Sequence, residues 1–173
     1  GKDGLAVAGH VLEKRPGHMQ ALRAQSIFGD PLASVFRNEM QLAEALAMSD
    51  SAVRGWKEFV RLDPGNTIAW GNQLVGYRIK NEILQQMGRP ADAAATLWTS
   101  MEVDRQAPPS YRVRSNLALI AGLLAVLEAN RGNAKQAADA LARHDKLMEY
   151  LDRAGMASDL DRAFRPVAPD YWR

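Results

Sequence analysis

Slid 44 residues along itself, the chain meets its own pattern. Pro64 falls on Pro108, Asn72 on Asn116, Gly88 on Gly132, Ala93 on Ala137 and Leu97 on Leu141. A fixed period of this length constrains the fold more than any single residue does. It marks helix–turn–helix units stacked in a row, each completing its apolar surface on its neighbours, and not one closed core. A chain of 173 residues has room for about four such units.

Apolar spacing then fills the units with helices. Leu5, Val7, Val11 and Leu12 recur at helical intervals until Pro16-Gly17 ends the segment. A second run starts near His18 and carries Met19, Leu22, Ala24 and Phe28. Gly29-Asp30-Pro31 is expected to break or sharply kink it, because proline removes a helix donor and suits a first turn. The run resumes through Leu32, Val35, Phe36, Met40, Leu42 and Leu46. Ser49-Asp50-Ser51 offers cap chemistry for a helix holding Val53, Trp56, Phe59, Val60 and Leu62. Beyond the Asp63-Pro64-Gly65-Asn66 turn, helices are predicted over 67–87, 91–105, 110–130 and 134–153. Gly88-Arg89-Pro90, Pro108-Pro109-Ser110 and Arg131-Gly132-Asn133 separate them. No stretch alternates with period two for long enough to make a strand. The fold class is all-α.

Composition removes several function classes. Apolar residues make up 47% and charged residues 24%, a balance that supports a packed chain over a disordered one. There is no cysteine, so thiol nucleophiles, thiolate metal sites and disulfides are excluded. The net charge is +2, too small and too evenly spread to predict nucleic-acid binding. The densest apolar run, Leu117 to Leu127, is about half the roughly 20 residues that cross a bilayer, so it is expected between neighbouring helices and not in a membrane. The opening Gly1-Lys2-Asp3-Gly4 carries no secretory signal, and its start within a helical pattern, without Met, suggests a processed or excised piece of a longer protein, which is expected to be bacterial.

The middle of the chain carries a resemblance. Leu62-Asp63-Pro64-Gly65-Asn66, then Ala69-Trp70, Tyr77, Gly88, Ala93 and Met101-Glu102-Val103-Asp104 resemble the tetratricopeptide repeat. In that family small residues let paired helices approach, a bulky residue packs beside them, and an Asp-Pro turn closes each unit. The resemblance implies a right-handed superhelix of stacked antiparallel helix pairs, with seven or eight helices. It spans residues 2–154 in units 2–17, 18–65, 66–109 and 110–154, with 155–173 as a capping segment or tail. The period departs from the family's 34 residues by ten or eleven, almost three helical turns. Such an insertion lengthens the first helix of a unit without turning its apolar stripe off the core.

Motifs that carry chemistry are scarce. His10, His18 and His144 sit far apart, in no metal-ligand spacing, and His144 reads as a partly exposed helix residue. Neither a nucleophile elbow nor a phosphate-cradling glycine loop occurs. Asp159 and Asp161 read as capping residues before the last segment. No catalytic, cofactor-binding or metal-binding residue is therefore assigned, and no enzyme activity is expected.

Binding surface is the stronger expectation. In tetratricopeptide arrays the first helix of each unit lines the concave face. Asn72 and Asn116, one period apart, resemble the position where the family often places an asparagine that bonds a peptide backbone, and an amide offers both donor and acceptor. Arg78, Lys80, Arg112 and Arg114 lie on the same two helices and could receive a carboxylate. The plainer reading stands beside this one: the asparagines bridge helices and the cations keep a helix face wet. Trp56, Trp70 and Trp98 are expected as core wedges. The aromatic, proline-containing end, Ala163 to Arg173, is expected either to cap the array or to dock on a partner.

The expected function is a protein–protein interaction scaffold without cofactor. Its partner would be a protein or peptide segment, an upstream domain of its own protein, or a second copy of the chain. The alternative is a regulatory sensor whose small apolar ligand sits between the long helices, lined by Met19, Met40, Met87 and Leu84.

Overall fold

A computed structural model of the chain describes residues 2–156. Seven long helices and one short turn follow in order: α1 (Lys2–Lys14), α2 (Met19–Asn38), α3 (Leu42–Leu62), α4 (Thr67–Gln86), α5 (Pro90–Ser100), α6 (Val103–Gln106), α7 (Tyr111–Asn130) and α8 (Ala134–Arg153). No strand occurs among the described residues. The region 18–65 holds α2 and α3, 66–109 holds α4 to α6, and 110–154 holds α7 and α8. The aromatic stretch from Ala163 to Arg173 lies outside the described residues, as do Asp159 and Asp161.

Repetition is visible in the boundaries themselves. Thr67–Gln86 and Tyr111–Asn130 are offset by 44 residues at both ends. Each first helix opens on the same device, a side chain that accepts the backbone N–H three residues on. His18 Nδ1 accepts from Ala21 at 3.2 Å, Asn66 Oδ1 from Ala69 at 3.0 Å and Ser110 Oγ from Val113 at 3.2 Å. Each first helix also closes alike. A residue in the left-handed region follows it, Met40 (φ 60°), Gly88 (φ 69°) or Gly132 (φ 77°). The next N–H then reaches back to an earlier carbonyl: Gln41 to Phe36, Arg89 to Leu84, Asn133 to Glu128, at 2.8–2.9 Å.

Several expectations about the units 18–65 and 66–109 give way. Gly29-Asp30-Pro31 does not break the helix, which runs unbroken from Met19 to Asn38 with Pro31 inside. The real turn lies at Glu39–Gln41, where Met40 holds the left-handed position that glycine takes in the other units. Ser49-Asp50-Ser51 therefore caps nothing. It sits within α3, where Ser49 is fully buried. The helix expected over 91–105 stops at Ser100 and resumes as the four-residue α6.

Helices pack on their neighbours in the chain and on the next first helix, so α2, α4 and α7 form a row with α3, α5 and α8 behind them. The main core passes through Leu74, Leu97, Leu117, Ile120, Leu124 and Leu151, and burying each such side chain contributes roughly 1.5–3 kcal/mol. A smaller cluster of Ala33, Ala45 and Ile83 joins α2, α3 and α4. Small residues set the close approaches. A Cβ on Gly29 would stand 3.0 Å from that of Ala52, so α2 and α3 meet almost backbone to backbone. Helix α7 is long and apolar enough to cross a membrane by length and composition, with mean hydropathy 1.3, and 56% of that window is buried in the protein. Contacts with α4, α5 and α8 use that apolar surface.

Trp56 and Trp70 are buried in the core, and Trp98 packs against it half-buried. Each indole N–H finds an acceptor: Asp30 Oδ2 at 3.2 Å, the Pro64 carbonyl at 2.9 Å and Glu128 Oε1 at 2.9 Å. His144, expected near the surface, is buried to 1% exposure on the inner side of α8, with Nδ1 3.3 Å from Asp145 Oδ1.

Candidate functional site

The row of first helices brings Asn72 of α4 beside Arg112 of α7, whose Nη2 donates to Asn72 Oδ1 at 2.5 Å. Gly71 makes this crossing feasible. A Cβ there would come within 2.6 Å of the Arg112 side chain, so the long stem lies flat on α4 where glycine leaves room. Asn116, one turn beyond Arg112, donates its Nδ2 back to the Arg112 carbonyl at 2.8 Å. The two asparagines do share one stripe of the surface. Their hydrogen bonds, however, tie α4 to α7 and α7 to itself.

The four cations part company. Lys80 pairs with Asp50 of α3 at 2.6 Å, whereas Asn72 meets Arg112 of α7. Arg114 pairs with Asp104 of α6 and lies 5.7 Å from the Tyr150 ring centroid, against α8. Arg78 is half-buried. Burial lowers its guanidinium pKa from the ordinary arginine value, and its Nε has no hydrogen-bond partner among the described residues. Only Arg112 joins the asparagines.

What sequence reasoning missed is the apolar strip beside them. Along α4, Asn72, Val75, Ile79 and Glu82 fall at helical spacing. Along α7, 44 residues on, come Asn116, Leu119, Leu123 and Val126. Ile27 stands in α2 where Val75 stands in α4. Ile27 and Val126 are 40% and 48% exposed, while Val75, Ile79, Leu119 and Leu123 are half-buried. The strip is bounded by the Asn72–Arg112 bond at one end and the Arg37–Glu82 ion pair between α2 and α4 at the other. Its signal was available, since the same register that paired Asn72 with Asn116 pairs Val75 with Leu119 and Ile79 with Leu123.

Two cavities open elsewhere. One of about 410 Å³ lies between α3, α4 and α5 and includes Arg54, Lys57, Lys80, Tyr77 and Leu84. The other, of about 870 Å³, lies where α6, the start of α7 and the end of α8 meet. Of the residues expected around a small apolar ligand, Leu84 alone lines one of these two cavities. Met40 is exposed at the α2–α3 turn, and Met19 and Met87 pack against separate core clusters. No group of three potential metal ligands occurs among the described residues.

Comparisons with protein-family models, with curated proteins and with solved structures find no match for the chain.

Proposed function

We propose that the chain is a non-catalytic interaction module, a right-handed superhelix of the tetratricopeptide kind that receives a protein or peptide segment on the face of α2, α4 and α7. The apolar strip of Ile27, Val75, Ile79, Leu119, Leu123 and Val126 carries this reading. Apolar side chains lie in register on three adjacent helices, with Ile27 and Val126 exposed and Ile79 and Leu123 packed partly on the core, and polar groups at both ends give an incoming segment a direction. Stacking supports it as well, because a row of helices presents such a surface without any enclosed pocket. Asn72 and Arg112 act together at one end of the strip, where the amide N–H of Asn72 and the remaining guanidinium donors of Arg112 meet a backbone carbonyl or a carboxylate.

The test is affinity capture from a lysate of the source cell with the intact chain, compared with an Ile27→Asp/Val126→Asp variant of unchanged helix content. A partner held by the former and lost by the latter supports the assignment. A partner captured equally by both sinks it. The double variant Asn72→Ala/Asn116→Ala is expected to weaken capture by a few-fold only, since part of its polar capacity is already spent between helices.

A further inference from the structure

The cavity at the junction of α6, α7 and α8 is unlike the apolar strip in both place and charge. Its walls carry five cations, Arg105, Arg114, Arg143, Lys146 and Arg153, against two carboxylates, Asp104 and Glu149. The carboxylates are already engaged, Asp104 by Arg114 and Glu149 by Arg153. Arg105 pairs outward with Glu102. That leaves Arg143 and Lys146, and among the described residues no carboxylate lies within ion-pairing distance of either. Arg143 rests over the Trp98 ring, 5.4 Å from its centroid, which fixes the guanidinium without neutralising it.

Arg143 and Lys146, without a carboxylate partner among the described residues, stand three residues apart on α8 and line the same cleft. One turn further along that side stand Leu147 and Tyr150, with Met101 of the preceding unit across from them. Leu147 and Met101 are buried at the base, and Tyr150 is 44% exposed. An apolar base under a cationic rim matches a ligand with an apolar side chain flanked by negative charges. The volume of about 870 Å³ falls in the range of roughly 300–1,000 Å³ typical of ligand clefts.

We infer that this cleft is a second binding site, separate from the strip on the first helices, and that it takes an acidic peptide segment bearing a large apolar residue. The apolar residue seats on Met101, Leu147 and Tyr150, and its neighbouring carboxylates are received by Arg143 and Lys146. The Arg114–Asp104 pair holds α6 against α7 and so keeps the base in shape.

The experiment is fluorescence anisotropy with the full chain and a labelled hexapeptide of sequence Glu-Asp-Leu-Phe-Asp-Glu. Three comparisons decide it: the same peptide with Leu-Phe replaced by Ser-Ser, inorganic phosphate as competitor, and the Arg143→Glu/Lys146→Glu variant. Saturable binding is expected, weakened about tenfold or more by the variant and by raised salt. Lys146→Glu alone, which leaves the Arg143–Trp98 contact in place, is expected to weaken it several-fold. The Ser-Ser peptide is expected to bind several-fold more weakly, and the Ile27→Asp/Val126→Asp variant to bind normally. The inference is overturned by any one of three results. These are an absence of saturable binding, binding unchanged in the charge-reversed variant, or displacement by phosphate at the peptide's own concentration, which would make the cleft a simple anion site. The intact behaviour of the strip variant keeps this outcome independent of the module's other face.

Discussion

Glu128 in α7 and Asp30 in α2 are both buried carboxylates, 3% and 8% exposed, and each takes an indole N–H from a tryptophan on another helix. Their surroundings then diverge. Glu128 also accepts from Arg131 Nη1 and Asn133 Nδ2, both at 2.7 Å, so its charge is matched and its oxygens are occupied. Asp30 has the Trp56 indole alone, and its Oδ1 has no partner among the described residues. Burial pushes the Asp30 carboxyl up to about 6, with the Trp56 bond opposing the shift. Position explains the contrast. Glu128 lies in the last turn of its helix, where the following loop folds back and delivers Arg131 and Asn133. Asp30 lies mid-helix, where no loop can reach it. The same unit in a repeat can therefore hold a buried charge well or badly, depending on its distance from a turn.

Removing the satisfied carboxylate breaks the comparison most severely. Glu128→Ala strands the Trp98 indole, the Asn133 amide and the Arg131 guanidinium together. It is expected to lower stability by about 3 kcal/mol, seen as a fall in the urea midpoint at pH 7. An unchanged midpoint would mean that the loop donors find water at no cost.

Asp30→Asn should act in the opposite direction. The amide keeps an acceptor for Trp56 and removes a charge that burial disfavours, so stability at pH 7 is expected to rise by on the order of 2 kcal/mol. The sign follows from the raised pKa. The folded state holds the Asp30 proton up to about pH 6, while the unfolded chain releases it near 3.8. This group's stabilisation is therefore full below the lower value and is lost as pH rises through about 6. Denaturation of wild type and variant near pH 4 and pH 7 tests it, since the advantage of Asn should shrink at the lower pH. A variant that is less stable at pH 7 would show that Asp30 has a partner worth more than its burial costs.

Met40→Gly is the smallest and sharpest test. Met40 is 69% exposed, so little packing is lost, and glycine adopts its φ of 60° without steric cost. A gain of about 0.5–1 kcal/mol is expected from thermal unfolding, bringing the α2–α3 turn to the form of those at Gly88 and Gly132. A loss would mean that the methionine side chain braces the turn.

The legibility of this chain varies with the kind of signal. Turns that carry glycine or proline at the helix end, such as Gly88-Arg89-Pro90 and Gly132, were readable because only certain residues suit left-handed backbone. The Glu39–Gln41 turn was not, since methionine in that conformation leaves no mark. Pro31 misled for the converse reason. A proline inside a well-packed helix costs a bond without ending the helix, and the contacts of α2 with α3 and α4 outweigh that cost. The register of Asn72 with Asn116 was legible, but their bonding was not, because it depends on Gly71 admitting an arginine from a helix far along the chain. His144 looked peripheral in a helix of polar composition, yet it turned inward.

By itself the sequence determined the period, the all-helical class and the positions where most helices begin and end. Those properties depend on local backbone preference and on apolar spacing within one helix. Tertiary structure alone decided which polar groups found partners, that Asp30 went short of them, and that Arg143 and Lys146 face a cleft with α6 opposite. Each of those outcomes requires elements distant in the chain to meet at particular distances, and no local preference carries that information.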